Sequence, residues 1–273
     1  MISTLDQALA GARAPFELLK VGGTMEAAGV LHSLFYSSGS PGAAVAPSPG
    51  LGGAALTSYP GQIPFQNPTA GLETNLMRLS GSATQPGKLI LADRLWHNSA
   101  INITTTTAQT VNSVAWPARC PPASGRTPDA FGRGIMIGLE ASAAVGNVGA
   151  IANTTIGYTN SDGVAGRVGT MASWPATPVA GTFVPFQLQA GDIGVRSDQS
   201  LTLGTSFVSG TVHLVAYRKI AELPMPQANV GYAIDIITSG NPLFYDSSVL
   251  CLLWHAAGTG AVTFNGGVTF TQG

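Results

Sequence analysis

The stretch Gln199–Arg218 shows the alternation that recurs through much of the chain. Leu201, Leu203, Thr205 and Phe207 alternate with Thr202, Gly204 and Ser206. After Ser209-Gly210, Val212, Leu214 and Ala216 alternate with His213, Val215 and Tyr217. Period-two alternation on either side of a Gly-containing turn predicts a β-hairpin with one buried face, His213 lying on the outward one. The density of Thr and Val excludes a helix here, because β-branched side chains favour the pleated surface.

Similar segments run through the chain from about Gly61. Strands are predicted at 75–80, 88–96, 99–107, 110–116, 134–142, 152–159, 166–173, 182–189, 230–238, 249–255 and 260–270. Asn160-Ser161-Asp162-Gly163 reads as a turn, since Asn, Asp and Gly tolerate positive φ. Asn265-Gly266, with Val262 and Phe264 before it and Val268 and Phe270 after it, carries the type I′ hairpin signal. The segment 117–130, with four prolines and two arginines, is expected to be an exposed loop.

Helix is predicted only near the start. Ser3 or Thr4 can cap a helix over residues 3–20 whose Leu5, Ala8, Leu9 and Ala12 share a face, with Pro15 kinking or splitting it. Met25–Phe35 fits either a helix or a strand. From Ala27 to Leu72 no Asp, Glu, Lys or Arg occurs, and 38–53 is a Gly/Pro/Ser/Ala-rich run without periodicity. Disordered linkers are usually charged or strongly polar, so this run is expected to be an extended arm lying on a neighbouring surface. The resulting expectation is an all-β antiparallel sandwich or jelly roll at 61–273, preceded by a short N-terminal helix and docking arm at 1–60.

Composition narrows the function. The chain has 12 Lys and Arg and 13 Asp and Glu in 273 residues, where an average soluble protein of this length carries roughly 68 charges. Charge keeps free monomers apart, so its scarcity suits a protein whose surface is covered by other subunits. A formal net charge of −1 offers no basic field for nucleic acid. No apolar run is long enough for a transmembrane helix, and the first twenty residues lack a secretory h-region. Cys120 and Cys251 are expected to be free structural thiols.

Candidate chemistry is sparse. His32, His97, His213 and His255 are scattered, with no metal-ligand spacing among them. Asp93 and His97, on one face of a strand, would stand about 13 Å apart, which suits a satisfied polar spot near a sheet edge better than a catalytic pair. Asp93, Glu140, Asp162, Asp192 and Asp235 occur singly; a hydrolase would need two such carboxylates brought together from distant strands. Asp192, Asp198 and Asp246 fall in predicted turns, yet form no D-x-D-x-D-G calcium loop. Trp96, Trp116, Trp174, Trp254, Tyr158, Tyr217 and Tyr232 would serve a carbohydrate-binding surface if exposed, and equally the rim of a core. No catalytic, metal-binding or cofactor-binding residue is assigned.

The runs DRLWHNSAINITTTTAQTVNSVAWPAR (93–119), TTIGYTNSDGVAGRVGT (154–170) and AGTFVPFQLQAGDIGVRSDQSLTLGTSFVSGTVHLVAYR (180–218) resemble tailed-bacteriophage and prophage structural proteins in texture and order. The resemblance covers about residues 85–220. It implies a non-enzymatic virion component of the head, head–tail junction or tail, built on β-sandwich modules and assembled in the host cytoplasm in many copies. With the charge-poor surface it leads to a capsid-associated decoration or cement protein as the expectation. Its partners would be the major capsid protein or neighbouring copies of itself, with no nucleic acid, membrane or cofactor. The shell protein itself would need a long spine helix after residue 40, which the sequence lacks. A tail, collar or fibre-type receptor-binding module is the rival.

Overall fold

A computed structural model describes Ile2 and residues 4–273. Helix α1 (Leu5–Ala10) opens the chain, followed by strands β1 (Phe16–Val21), β2 (Leu31–Ser33), β3 (Ser38–Ser40), β4 (Ala54–Ala55), β5 (Thr74–Ala83) and β6 (Gly87–His97). Next come β7 (Gln109–Thr110), β8 (Ile135–Ala143), β9 (Thr155–Asn160), β10 (Arg167–Met171), β11 (Thr182–Gln187) and β12 (Val195–Thr202). The chain finishes with β13 (Thr211–Met225), β14 (Tyr232–Asp235), β15 (Leu243–Phe244), β16 (Leu250–Ala256) and β17 (Thr263–Gln272). The fold is all-β, and no long spine helix follows residue 40 among the described residues.

The strands form two sheets. The smaller runs β14-β5-β17-β1-β3, with β15 also on β5; the larger runs β2-β16-β6-β13-β8-β11-β10-β9-β12-β7, with β4 also on β6. In the larger sheet β11 pairs back onto β2, at Thr182↔His32 and Phe183↔Leu31, closing six strands into a barrel. Strand alternation alone does not reveal such closure, since the seam consists of two residue pairs contributed by a three-residue strand.

Three apolar clusters follow from this topology. Ile90, Ala92, Phe183, Val215, Tyr217, Cys251 and Leu253 fill the barrel around Phe35. A first outer core packs Ile135, Ile137 and Leu139 of β8 against residues such as Ile156, Val195 and Leu201 of the β10-β9-β12 extension. A second joins Leu89, Leu91, Leu252 and Trp254 on the barrel to Leu18, Leu79, Phe264 and Val268 of the smaller sheet. Strand β13 serves all three. Its Leu214 and Ala216 face the first core, Val215 and Tyr217 the barrel, and Ala221, Leu223 and Met225 the second core. Register shifts after Ala216 and Lys219 reset its alternation, as β-bulges do.

Several local expectations need correction. β12 and β13 are not a hairpin: β12 lies between β9 and β7, and β13 between β6 and β8. The connection 203–210 spans the first core, burying Leu203 and Phe207, with Phe207 stacked on Trp174 at 5.4 Å. Alternation reports a buried face and is silent about which strand is the partner. Asn265-Gly266 is no turn either, because β17 runs straight through it between β5 and β1. Gly266 is needed for close approach: a Cβ there would collide with the Ser80 carbonyl and the Phe264 ring.

The helix expected over 3–20 stops at Ala10. Thr4 and Gln7 form a capping box, but of the expected apolar face Ala8 is buried while Leu5 and Leu9 are exposed. Phe16–Val21 is a strand, with Leu18 and Lys20 inward at period two. Residues 99–107 and 111–116 form no strands. Asn102 instead builds a local turn, accepting from Thr104 N at 3.1 Å and exchanging hydrogen bonds with the Gln109 amide. In the 117–130 loop Arg119 and Cys120 are buried rather than exposed. Within this chain the 41–53 segment rests on its own barrel, where Trp96 Nε1 donates to Gly52 O at 3.1 Å and Asn98 Nδ2 to Leu51 O at 3.2 Å.

If Gly266 serves close strand approach, Gly266→Ala lowers stability by about 1–3 kcal/mol through overpacking, read as a lower urea midpoint. An unchanged midpoint would contradict the continuous β17.

Candidate functional site

The polar residues singled out in the sequence become structural anchors. Asp93 sits in the interior strand β6 rather than near an edge. It accepts from Arg119 Nε at 3.0 Å and Nη2 at 3.1 Å, Ser248 Oγ at 3.0 Å and Val249 N at 2.9 Å. Arg119 Nη1 continues to Leu56 O at 2.6 Å. This staple ties the 117–121 loop and the start of β16 to the barrel. His97 belongs to a different network, accepting at Nδ1 from Arg94 Nε at 3.2 Å, with the Tyr59 ring at 4.7 Å. Burial and the neighbouring Arg94 and His213 push His97 down to about 2, so it stands neutral.

Inside the barrel Arg94 Nη1 meets Glu140 Oε2 at 2.7 Å, and the Tyr36 hydroxyl donates to the same oxygen at 2.8 Å. The guanidinium carbon lies 5.0 Å from the Phe35 ring centroid. Burial, the largest single influence, would depress the Arg94 pKa, but Glu140, Tyr36 and Cys251 together outweigh it and the net shift is upward. Burial, then the Glu140 charge, holds Tyr36 far above an ordinary phenol. The pair is buried between apolar walls, an arrangement that positions strands β6 and β8.

His213 is buried, contrary to its expected outward position: its Nε2 lies 2.8 Å from Ser142 Oγ and its Nδ1 2.9 Å from Asn98 O. Serine and imidazole are at nucleophile–base distance. A main-chain carbonyl takes the carboxylate's place, however, and the ring is 0% exposed, so no substrate reaches it. Glu26 bridges the barrel seam, one oxygen 2.6 Å from His32 Nε2 on β2 and the other accepting from Thr182 Oγ1 on β11 at 2.9 Å.

Among the carboxylates, Asp192 accepts from the Tyr158 hydroxyl, from Asn160 Nδ2 at 2.7 Å and from Arg167 Nη2 at 2.8 Å. Asp198 is buried with neither oxygen hydrogen-bonded. Asp246 lines an open cleft of about 380 Å³ beside the Arg126–Glu73 ion pair. No group of three or more His, Cys, Asp or Glu side chains is placed to hold a metal ion among the described residues. Cys120 and Cys251 are free and buried.

The aromatic residues lead inward as well. Trp96, Trp116, Trp174 and Trp254 are all buried, Trp96 tilted against Trp116 at 5.2 Å, so none offers a face to a sugar. Phe131 is the exception, half-exposed with the Arg196 guanidinium carbon 4.9 Å from its ring centroid.

The outer surface is therefore barer than the sequence indicates. Lys20, Asp93, Arg94, Arg119, Glu140, Asp198 and Arg218 are buried, which removes seven charges from an already small set. Large apolar side chains stand out instead, among them Val148, Ile237, Val208, Val45, Leu5 and Leu9. Leu5 lines an apolar groove of about 370 Å³ with Ala8, Ile236 and Ile237. A second groove, about 390 Å³, lies between Pro15, Phe16, Pro64, Phe65 and Phe270. The sequence offered no signal for the first, since Leu5 and Leu9 four apart read as a core-facing pair.

No protein-family model matches the chain, and neither does any curated protein.

The barrel pair is testable by cycle. Glu140→Leu alone leaves Arg94 charged and unpaired, costing about 3–5 kcal/mol, whereas Arg94→Met with Glu140→Leu recovers most of that loss. A double variant destabilised in urea by the sum of the Glu140→Leu and Arg94→Met single variants would show the pair to be uncoupled.

Proposed function

We propose that the chain is a structural component of a bacteriophage virion: a capsid-associated decoration or cement protein, built on a β-sandwich, jelly-roll-like module, that stabilises the particle through subunit contacts. The observation that carries the proposal is the inversion of charge placement. Ion pairs such as Arg94–Glu140 and Arg119–Asp93 occupy the interior, while Val45, Val148, Val208 and Ile237 face outward. A solitary soluble protein gains solubility from the opposite distribution. A neutral exterior with apolar side chains on several faces suits burial by neighbours, whether the shell protein or further copies of the chain. The resemblance over residues 85–220 supports the same class. The uncharged 41–53 segment, with Val45 outermost, is the docking element in this reading.

A fibre-type receptor-binding module is the second reading, supported by Phe131 with its stacked Arg196; an aromatic–guanidinium pair is a common anchor of recognition surfaces.

Removing residues 1–60 would take away β1 and the barrel-closing β2, so the arm is better tested by point charges. Val45→Asp with Ala46→Asp leaves the melting temperature unchanged and lowers the copy number in purified particles about tenfold or more, since each charge buried at an interface without a partner costs several kcal/mol. Wild-type copy number in that variant rejects the arm as the docking element. Absence of the wild-type chain from purified particles rejects the virion reading itself.

A further inference from the structure

Asp198 is the one carboxylate among the described residues with both oxygens buried and no hydrogen-bond partner on either. It lies in β12 where the register with β9 shifts between Asp198 and Ser200. The backbone N–H groups of Gln199 and Ser200 lie close by and favour the ionised form, but without hydrogen-bond geometry they offset little of the burial.

No cation compensates the carboxylate from the surrounding elements. On β9 the titratable group is Tyr158, whose hydroxyl is turned to Asp192, already paired with Arg167. On β8 it is Glu140, engaged with Arg94 inside the barrel. Segment 109–116 carries no titratable side chain at all. On β12 itself Arg196 is exposed over Phe131. A carboxylate without partners in such surroundings is held as the neutral acid, and burial raises Asp198 well above the usual carboxylate range.

The flank of β12 with the fewer ladder pairs is the segment 109–116, which is also anchored by Trp116 Nε1 donating to Val195 O at 2.7 Å and Val114 N to Gly52 O at 3.1 Å. Segment 109–116 is a strap on the edge of β12: the two residues of β7 pair with Ser200 and Leu201, and the rest is irregular. Ser113 N donates to Asp198 O at 2.8 Å, Asp198 N donates to Ser113 Oγ at 3.0 Å, and Val111 N donates to Gln199 O at 2.8 Å. The strap inserts Val111 and Trp116 into the first outer core. The other strand beside β12, β9, pairs with it at six positions in spite of two register shifts, so the strap is the flank with fewer ladder pairs to break in bringing water to the carboxylate.

We propose that Asp198 is a proton-operated latch, which seats the 109–116 strap on β12 when protonated and releases it when ionised. The inference goes beyond the virion reading and does not depend on it. The sense of the pH dependence follows from linkage. The closed state holds a proton that the hydrated carboxylate would lose, so the stabilisation is full in acid, below the ordinary carboxylate pKa of about 4. It is lost as pH rises toward the residue's own raised value, by about tenfold in the closed-to-open ratio per pH unit.

Amide hydrogen exchange at Val111 and Ser113, corrected for the intrinsic rate, tests the latch between about pH 5 and about pH 8. In the wild type protection at these amides falls with pH up to the Asp198 midpoint; in Asp198→Asn it stays flat. Protection independent of pH in the wild type, or an equal fall in both proteins, overturns the proposal. Should Asp198→Asn fail to fold, the carboxyl-carbon NMR titration of Asp198 in the wild type decides. A midpoint well above the ordinary range is the expected result, and a midpoint within that range overturns it.

Discussion

Strands β6 and β13 are covered on both faces along most of their length, and the rest of the molecule is arranged to satisfy them. One face of each lines the barrel. The other meets the first core near the 95–97 and 212–216 ends, and the second core near the 89–91 and 221–225 ends. A polar side chain on a strand so enclosed is costly to leave without a partner, because an unpaired group in an apolar setting costs more than a paired one returns. This is why Asp93 and Arg94, adjacent on β6 and facing opposite ways, each have a dedicated partner of opposite charge. Arg119 is supplied by a loop and Glu140 by the neighbouring barrel wall.

Much of this architecture was legible in the sequence, and the reasons it became illegible differ from place to place. The segments around β5, β6, β8, β9, β10, β11 and β16 show themselves because each buries a face with period two or as a continuous apolar run. Pairing did not show itself. Leu203 and Phe207 continue the alternation of β12 although they belong to a connection across a core, and Asn265-Gly266 has turn composition within an uninterrupted strand. Barrel closure was equally hidden, since His32↔Thr182 joins residues far apart through a strand too short to have a pattern. Of the polar residues, the sequence could identify Asp93 and Glu140 as isolated acids. It could not indicate that Arg119 and Arg94 would neutralise them, because ion pairs between distant segments leave no spacing to read.

The inward placement of charge also sets the surroundings of the histidines. Histidines at 32, 97 and 213 are each engaged by a neighbour and enclosed, and His97 has lost its capacity to titrate near neutrality. These side chains specify which strands meet. Arg94 can stand only where Glu140, His97 and Phe35 converge. Buried pairs of this kind add less to net stability than well-packed apolar residues would, but they penalise any arrangement that separates them.

The position of β17 has a consequence for synthesis. It lies between β1 and β5 and is the last strand of the chain, while β2 is inserted between β11 and β16. Neither sheet can be completed from one end of the polypeptide. On the ribosome β1 and β5 must wait for β17 before they acquire their shared neighbour, and the barrel remains open until β16 has emerged. Closing such long loops before any contact rewards them slows folding. During that interval the unpaired edges of β1, β5 and β6 would be open to pairing with other chains, so yield from expression should depend on temperature and chain concentration more steeply than the stability of the finished protein does.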